Sequence, residues 1–171
     1  MVVAKIPEIR KGLGSEHAYC DSVQLAMLIL FFVIWGIDTL SYFVFSVSTV
    51  LVVLTSLPLF LLPAILSLGF GIYLALKSHE AVFSETTPKL IDSGVYSWVR
   101  HPMYLGTLMF CLGFLFVSIS LLSLGVWIGF FIFYDRMVTY EEKDLIHILG
   151  EEYITYQKRV PKWFPRLLHK D

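Results

Sequence analysis

A chain of 171 residues that is 57% hydrophobic and only 16% charged lies outside the range of soluble domains, which run about 45–50% apolar and about 25% charged. Its mean hydropathy of +0.72 says the same. A formal net charge of −1 leaves no basic footprint for a nucleic-acid partner, and the length allows one helical bundle and little more.

The first 16 residues are polar and carry Lys5, Arg10 and Lys11 without a following cleavage pattern, so they do not read as a cleaved signal peptide. Two long apolar blocks follow, at 22–76 and 103–138. A span takes about 20 apolar residues to cross about 30 Å of hydrocarbon, so each block crosses more than once and the chain is polytopic. Asp38 lies deep in the first block, where an ionised carboxylate costs about 2.5–3.5 kcal/mol at a helix centre. A turn at Gly36-Ile37-Asp38 removes that cost. Thr55-Ser56-Leu57-Pro58 offers a second cut, because proline favours a helix start. These cuts predict helices over 18–37, 39–57 and 58–78. The alternative is two longer tilted helices, with Asp38 facing the bundle interior. Cys20 and Cys111 lie far apart in or beside apolar segments and read as small buried apolar residues, not as a disulfide or metal pair.

Residues 77–100 break the hydropathy, with Pro88, the Asp92-Ser93-Gly94 turn signal and scattered charge marking a surface loop. The second block opens at Pro102. Small polar residues from Ser118 to Gly125 predict a hairpin between helices over 102–117 and 122–146. Leu145, Leu149, Tyr153 and Tyr156 recur at helical spacing and predict an amphipathic helix ended by Val160-Pro161 and Pro165. The basic tail, with Trp163 and Phe164 interleaved, reads as cytoplasmic and interfacial. The hairpin puts the 77–100 loop and the C-terminal helix on one side, the cytoplasmic one. Three helices in the first block place the N-terminus outside. Two place it inside, the side that Lys5, Arg10 and Lys11 favour.

Two polar clusters carry the chemistry. Arg100, His101 and Tyr104 gather at the mouth of a helix that starts at Pro102, where unpaired N–H groups and a positive dipole end attract anions. Asp135-Arg136 and then Glu141-Glu142 leave the membrane on the last spanning helix, and ionisable residues at that depth suggest function. The hairpin should return this end to Arg100–Tyr104. A carboxylate there can hold an amine or ribose hydroxyls, and Arg136 an anion. The bland alternatives are headgroup contacts for Arg100 and His101, and a structural ion pair joining Asp135 or Glu141 to Arg100 or Arg136. The chain shows no nucleophile elbow, no glycine-rich phosphate loop and no metal-ligand spacing among its five histidines. Alignment of two bound molecules suits these residues better than a protein nucleophile.

SGVYSWVRHPMYLG followed by EEKDLIHILGEEYITYQKRVPKWFP resembles the isoprenylcysteine carboxyl methyltransferases and their phospholipid methyltransferase relatives, over residues 86–166. The resemblance implies an all-α integral membrane enzyme of about five transmembrane helices, N-terminus outside, plus a C-terminal amphipathic cytoplasmic helix. Residues 1–78 would form the N-terminal spans. Residues 79–171 would carry the cofactor loop, the hairpin and the C-terminal helix, and the whole would be one membrane-embedded catalytic unit. It implies methyl transfer from S-adenosylmethionine to a prenylcysteine or similar lipid-like carboxylate at a cytoplasm-facing site. The membrane would be the plasma membrane in a prokaryote and the endoplasmic reticulum in a eukaryote. Carried over, the cofactor residues are Pro88, Lys89, Leu90, Ile91, Tyr96, His101, Pro102, Met103, Tyr104 and Glu141. Glu142 is the adjacent candidate, and Arg136 would face the substrate carboxylate. Three alternatives stand beside this reading. They are N-methylation of an ethanolamine headgroup, an NADPH-dependent membrane reductase with a similar RHP-x-Y junction, and a non-enzymatic scaffold.

Overall fold

The computed structural model describes residues 20–53, 58–84 and 90–165. Pro88 and Lys89 therefore lie outside the described residues. Helix α1 is Cys20–Phe45, α2 is Leu61–Ser84 after a single 3-10 turn at Pro58–Phe60, and α3 is Pro102–Val117. Helix α4 is Leu121–Leu149 and α5 is Glu151–Arg159. Two short segments, β1 (Val50–Val53) and β2 (Ser118–Ser120), pair antiparallel, with Val50 opposite Ser120 and Val53 opposite Ser118.

The expected break at Gly36-Ile37-Asp38 does not occur, and with it goes the helix over 39–57. Helix α1 runs through all three residues and stops only near Ser46, whose φ is 54°. Asp38 is buried, and its carboxylate accepts from the Thr49 backbone N–H at 2.9 Å, the Thr49 hydroxyl at 2.6 Å and the Ser120 hydroxyl at 2.7 Å. Three donors offset the desolvation that a turn was expected to avoid. Thr39 shares a hydrogen bond with Ser118 at 2.7 Å, and the Ser120 hydroxyl caps α4 by accepting from the Ser123 N–H at 3.1 Å. A polar knot thus closes the end of the bundle where α1 meets the α3–α4 turn. The arrangement is the one with longer helices and Asp38 facing inward.

Three helical segments are long and apolar enough to cross a bilayer: Val23–Phe45, Leu61–Val82 and Leu121–Leu149. Helix α3, at 16 residues, is about 24 Å long at 1.5 Å per residue. The described residues therefore hold three candidate spans and one shorter apolar helix, all belonging to an integral membrane protein. Their core is Phe31 of α1, Leu74 of α2, Leu108 and Cys111 of α3, and Phe130, Tyr134 and Val138 of α4.

Helices α2 and α3 meet along glycines. A Cβ on Gly71 would stand 2.6 Å from the Phe110 backbone nitrogen, and one on Gly106 would stand 2.8 Å from the Gly71 carbonyl oxygen. Such backbone approach is what small residues permit between helices in lipid. It also fixes the height at which Pro102 and the loop before it leave the bundle.

Candidate active site

Chain direction explains the site. Helices α3 and α4 form a hairpin closed at Ser118–Ser120, so the start of α3 and the far end of α4 come to the same end of the bundle, opposite the Asp38 knot. Pro102 opens α3 because the first turn needs no N–H from it. His101, the residue before, is non-helical and buried.

Three side chains of the RHPxY junction reach α4. The Arg100 Nε–H donates to Glu142 Oε1 at 2.7 Å, His101 Nε2 lies 3.0 Å from the same oxygen, and the Tyr104 hydroxyl donates to Glu141 Oε1 at 2.5 Å. A carboxylate only accepts, so the His101 proton sits on Nε2. Burial holds the His101 imidazole below its ordinary value near 6.5, opposed in part by the Glu142 carboxylate and reinforced by Arg100 and Lys162. The ring is neutral at pH 7, with its Nδ1 lone pair 3.9 Å from Glu141 Oε2.

The tandem glutamates are thereby separated. Glu142 is buried, and both its oxygens are engaged, the second by the Gln157 amide at 3.2 Å. It anchors the fold of the site. The Glu141 side chain is as little exposed, 12% like that of Glu142, but its carboxylate stands between Tyr104 and His101 Nδ1.

Helix α5 and the chain after it supply a third wall. Gly150, at φ 59° and ψ −131°, turns α5 away from α4 through a backbone conformation open to glycine. Arg100 then ties α5 down: Nη1 donates to the carbonyls of Gln157 at 3.0 Å and Val160 at 2.8 Å, and its backbone N–H to Pro161 at 2.9 Å. The Tyr156 hydroxyl donates to the Tyr96 carbonyl at 2.7 Å, and Arg159 pairs with Asp92 at 2.5 Å. Trp163, buried, brings its ring to 6.4 Å from His101.

The junction and the glutamates expected to meet do meet. His101, Tyr104, Glu141 and Glu142 lie around one mouth, with Pro102 and Met103 between the first two in sequence and Tyr96 held by Tyr156; Tyr96, His101, Pro102, Met103 and Tyr104 are buried or half-buried. Leu90 packs against the cluster of Leu145, Tyr153, Tyr156 and Val160, and Ile91 follows it, half-buried. Arg136 stands apart from this cluster. It lies two residues before fully buried Val138, hence about 200° round α4 at about 100° per residue, and it is exposed on the face away from Glu141 and Glu142. Among the described residues, the ion pairs that form around the glutamates and Asp135 are Arg100–Glu142 and Lys162–Asp135. Gln157 and Trp163 were not expected in the site. Trp163 carried a signal, an aromatic next to Lys162 after a helix stop, but that pattern also describes a residue at a membrane interface.

A family model described as phospholipid methyltransferase matches residues 51–152, well over half of the chain. The chain belongs to the phospholipid methyltransferase family. Its similar relatives include a protein-S-isoprenylcysteine O-methyltransferase of Xenopus laevis, 39% identical over 77 residues that make up 44% of this chain and 27% of that one. The human protein of the same name is 38% identical over 84 residues, 46% of this chain and 28% of its own, and the Saccharomyces cerevisiae protein 37% over 82 residues, 47% and 34%. The chain thus spans about a quarter to a third of the length of these relatives. Among solved structures, a eukaryotic intramembrane Ras methyltransferase, isoprenylcysteine carboxyl methyltransferase, superposes with a TM-score of 0.63 at 20% identity, covering 85% of this chain and 53% of that one. At that identity the likeness is one of fold.

Proposed function

We propose that this phospholipid methyltransferase family member is an S-adenosylmethionine-dependent O-methyltransferase acting on the carboxylate of a prenylated cysteine or a similar lipid-like acid. Its site faces the cytoplasm, with residues 79–171 forming the catalytic part on a frame built by 1–78. The observation that carries the reading is the meeting of Tyr104 and His101 with Glu141 at the mouth of the α3–α4 hairpin. The choice of acceptor rests on the relatives, which share this part of the chain.

The donor set fits the cofactor. Two carboxylates and a neutral imidazole suit a cation with amine and hydroxyl groups, whereas a polyanionic dinucleotide would meet Glu141 and Glu142 unfavourably. When bound, S-adenosylmethionine supplies a methyl group on an electrophilic sulfonium. Glu141, backed by the Tyr104 hydroxyl, would hold the cofactor's hydroxyl or amino groups. Glu142, already engaged by Arg100, His101 and Gln157, fixes the wall behind them. Tyr96, Pro102 and Met103 would line the same mouth, with Leu90, Ile91 and the preceding Pro88 and Lys89 closing it from the loop. A carboxylate acceptor is ionised at pH 7 and asks no base of the protein. The chain's work is then to orient and to exclude water, and Tyr104, Trp163 and buried His101 supply a water-poor boundary.

A second reading has an observation in its favour: the description of the matching family model names phospholipids. N-methylation of an ethanolamine headgroup must shed a proton, and neutral His101 Nδ1 stands 3.9 Å from Glu141, in place to receive it. Transfer of labelled methyl from S-adenosylmethionine to a farnesylated cysteine analogue, to phosphatidylethanolamine and to total membrane lipid separates the two. We expect label in the cysteine analogue, lost when Glu141 is replaced by Ala. Label in phosphatidylethanolamine alone overturns the carboxylate reading, and label in none of the three overturns both.

A further inference from the structure

Asp135 lies seven residues before Glu142 on α4, and it is engaged by the tail that follows α5. Lys162 Nζ donates to its carboxylate at 2.6 Å, to its carbonyl at 3.0 Å and to the Thr139 hydroxyl at 2.9 Å. The Trp163 indole N–H donates to the same carboxylate oxygen, Oδ1, at 2.8 Å. Two consecutive residues of a segment with no regular structure are therefore fastened to a single side chain. The Lys162–Asp135 pair is partly exposed, with side chains 21% and 43% accessible, and pairs of that kind contribute little to global stability. What the arrangement fixes is direction. With its N–H pinned, the indole packs at a tilt against two rings, Phe131 at 5.5 Å and 46° and His101 at 6.4 Å and 47°. His101 is then enclosed between Trp163 and Tyr104, whose ring is 6.2 Å away on another side.

The geometry points to Asp135 as a positioning residue that holds the Trp163 ring beside His101, so that the imidazole stays dehydrated and keeps Nε2 on Glu142 and Nδ1 toward Glu141. Asp135 touches no reacting group in this scheme and acts through Trp163. The charged and titratable groups around the imidazole are Arg100 beside it in sequence, Tyr104 on α3, Glu141 and Glu142 on α4, and Lys162 on the tail. Of these, only Lys162 shares the clasp, so releasing the clasp changes both the water and the positive charge near the ring while leaving Arg100, Glu141 and Glu142 in place. Hydration of the ring and withdrawal of Lys162 both raise the His101 midpoint, whereas loss of the Asp135 charge that balances Lys162 acts the other way; Trp163→Phe, which leaves the Asp135–Lys162 pair intact, reads the hydration alone.

The inference bears on the site proposed above, but its test needs no methyl transfer. Histidine-labelled protein in detergent micelles is titrated by NMR, with the His101 signal assigned from His101→Gln. The wild-type ring should titrate below the ordinary value near 6.5. Asp135→Ala should raise its midpoint by about one pH unit. Asp135→Asn, which keeps an oxygen for the indole N–H, should leave the midpoint within about a third of that shift. Trp163→Phe keeps an aromatic ring, loses the tether and should move in the direction of Asp135→Ala, and it decides the matter if Asp135→Ala does not fold. An ordinary wild-type midpoint, or an unchanged midpoint in folded Asp135→Ala or Trp163→Phe, overturns the assignment. The expected titrations in a protein that transfers no methyl would leave Asp135 its role and end the methyltransferase reading.

Discussion

Arg100 joins three parts of the chain through one side chain and its own backbone. It neutralises Glu142, caps the carbonyls at the end of α5 and donates its backbone N–H to the Pro161 carbonyl. The planar fork of guanidinium donors suits this divergent set of acceptors, and an ammonium would not reach them all. Both side chains of the Arg100–Glu142 pair are 12% exposed, so Arg100→Ala leaves the carboxylate without its cation, held only by the neutral His101 and Gln157 donors. The expected loss is about 3–5 kcal/mol, read as a lower thermal midpoint of the solubilised protein, and Arg100→Lys should recover only a fraction of it. His101 adds a dependence on pH. Its folded-state value is depressed by burial, so the unfolded chain takes up a proton first as pH falls through about 6.5. Its contribution is complete above that pH and shrinks as pH drops toward the depressed value. Thermal midpoints measured from pH 8 to pH 5 should fall at the acid end, and His101→Gln should flatten that fall.

At the scale of elements, the α2–α3 contact carries the most specific expectation. Gly71→Ala would drive a Cβ into backbone atoms at 2.6 and 2.7 Å, which cannot swing aside as a side chain can. It should cost about 1–3 kcal/mol and displace the start of α3, and with it His101 and Tyr104. Gly69→Ala, with nothing within 4 Å, is the matched control and should be neutral in the same unfolding measurement. Which elements could be read in advance follows a local rule. Pro102 and the Ser118–Ser120 turn announced α3, and the structure gives it the expected bounds, 102–117, because proline and serine act on their own neighbours. Asp38 misled because its partner Ser120 lies 82 residues away, and a carboxylate met alone in an apolar run looks like an interruption. Arg136, which stands apart from the glutamates, was hard to place for a different reason. Position along α4 was visible, but the face it occupies depends on a helical phase that the buried run Tyr134, Met137, Val138 and Glu142 sets.

Across the whole molecule, the two ends of the bundle do different work. One end is sealed by Asp38, Thr49 and Ser120, a knot in which each polar group named is satisfied. The other end gathers Arg100, His101, Tyr104, Glu141 and Glu142 with the α5–tail segment folded over them. Sequence showed this meeting through two motifs in order around a hairpin, and it showed Trp163 only as a tail aromatic, since the clasp on Asp135 depends on the chain reversing after Val160. The central claim is that the second end binds one nucleoside-sized molecule, the methyl donor or its demethylated product, through Glu141. Calorimetric titration of the solubilised protein with S-adenosylhomocysteine tests it most directly. Binding to the wild-type chain should weaken by at least about tenfold, or about 1.4 kcal/mol, in Glu141→Ala, and change by less than about twofold, under about 0.5 kcal/mol, in Arg136→Ala. Undiminished binding in Glu141→Ala, or binding of NADPH in place of S-adenosylhomocysteine, would contradict it.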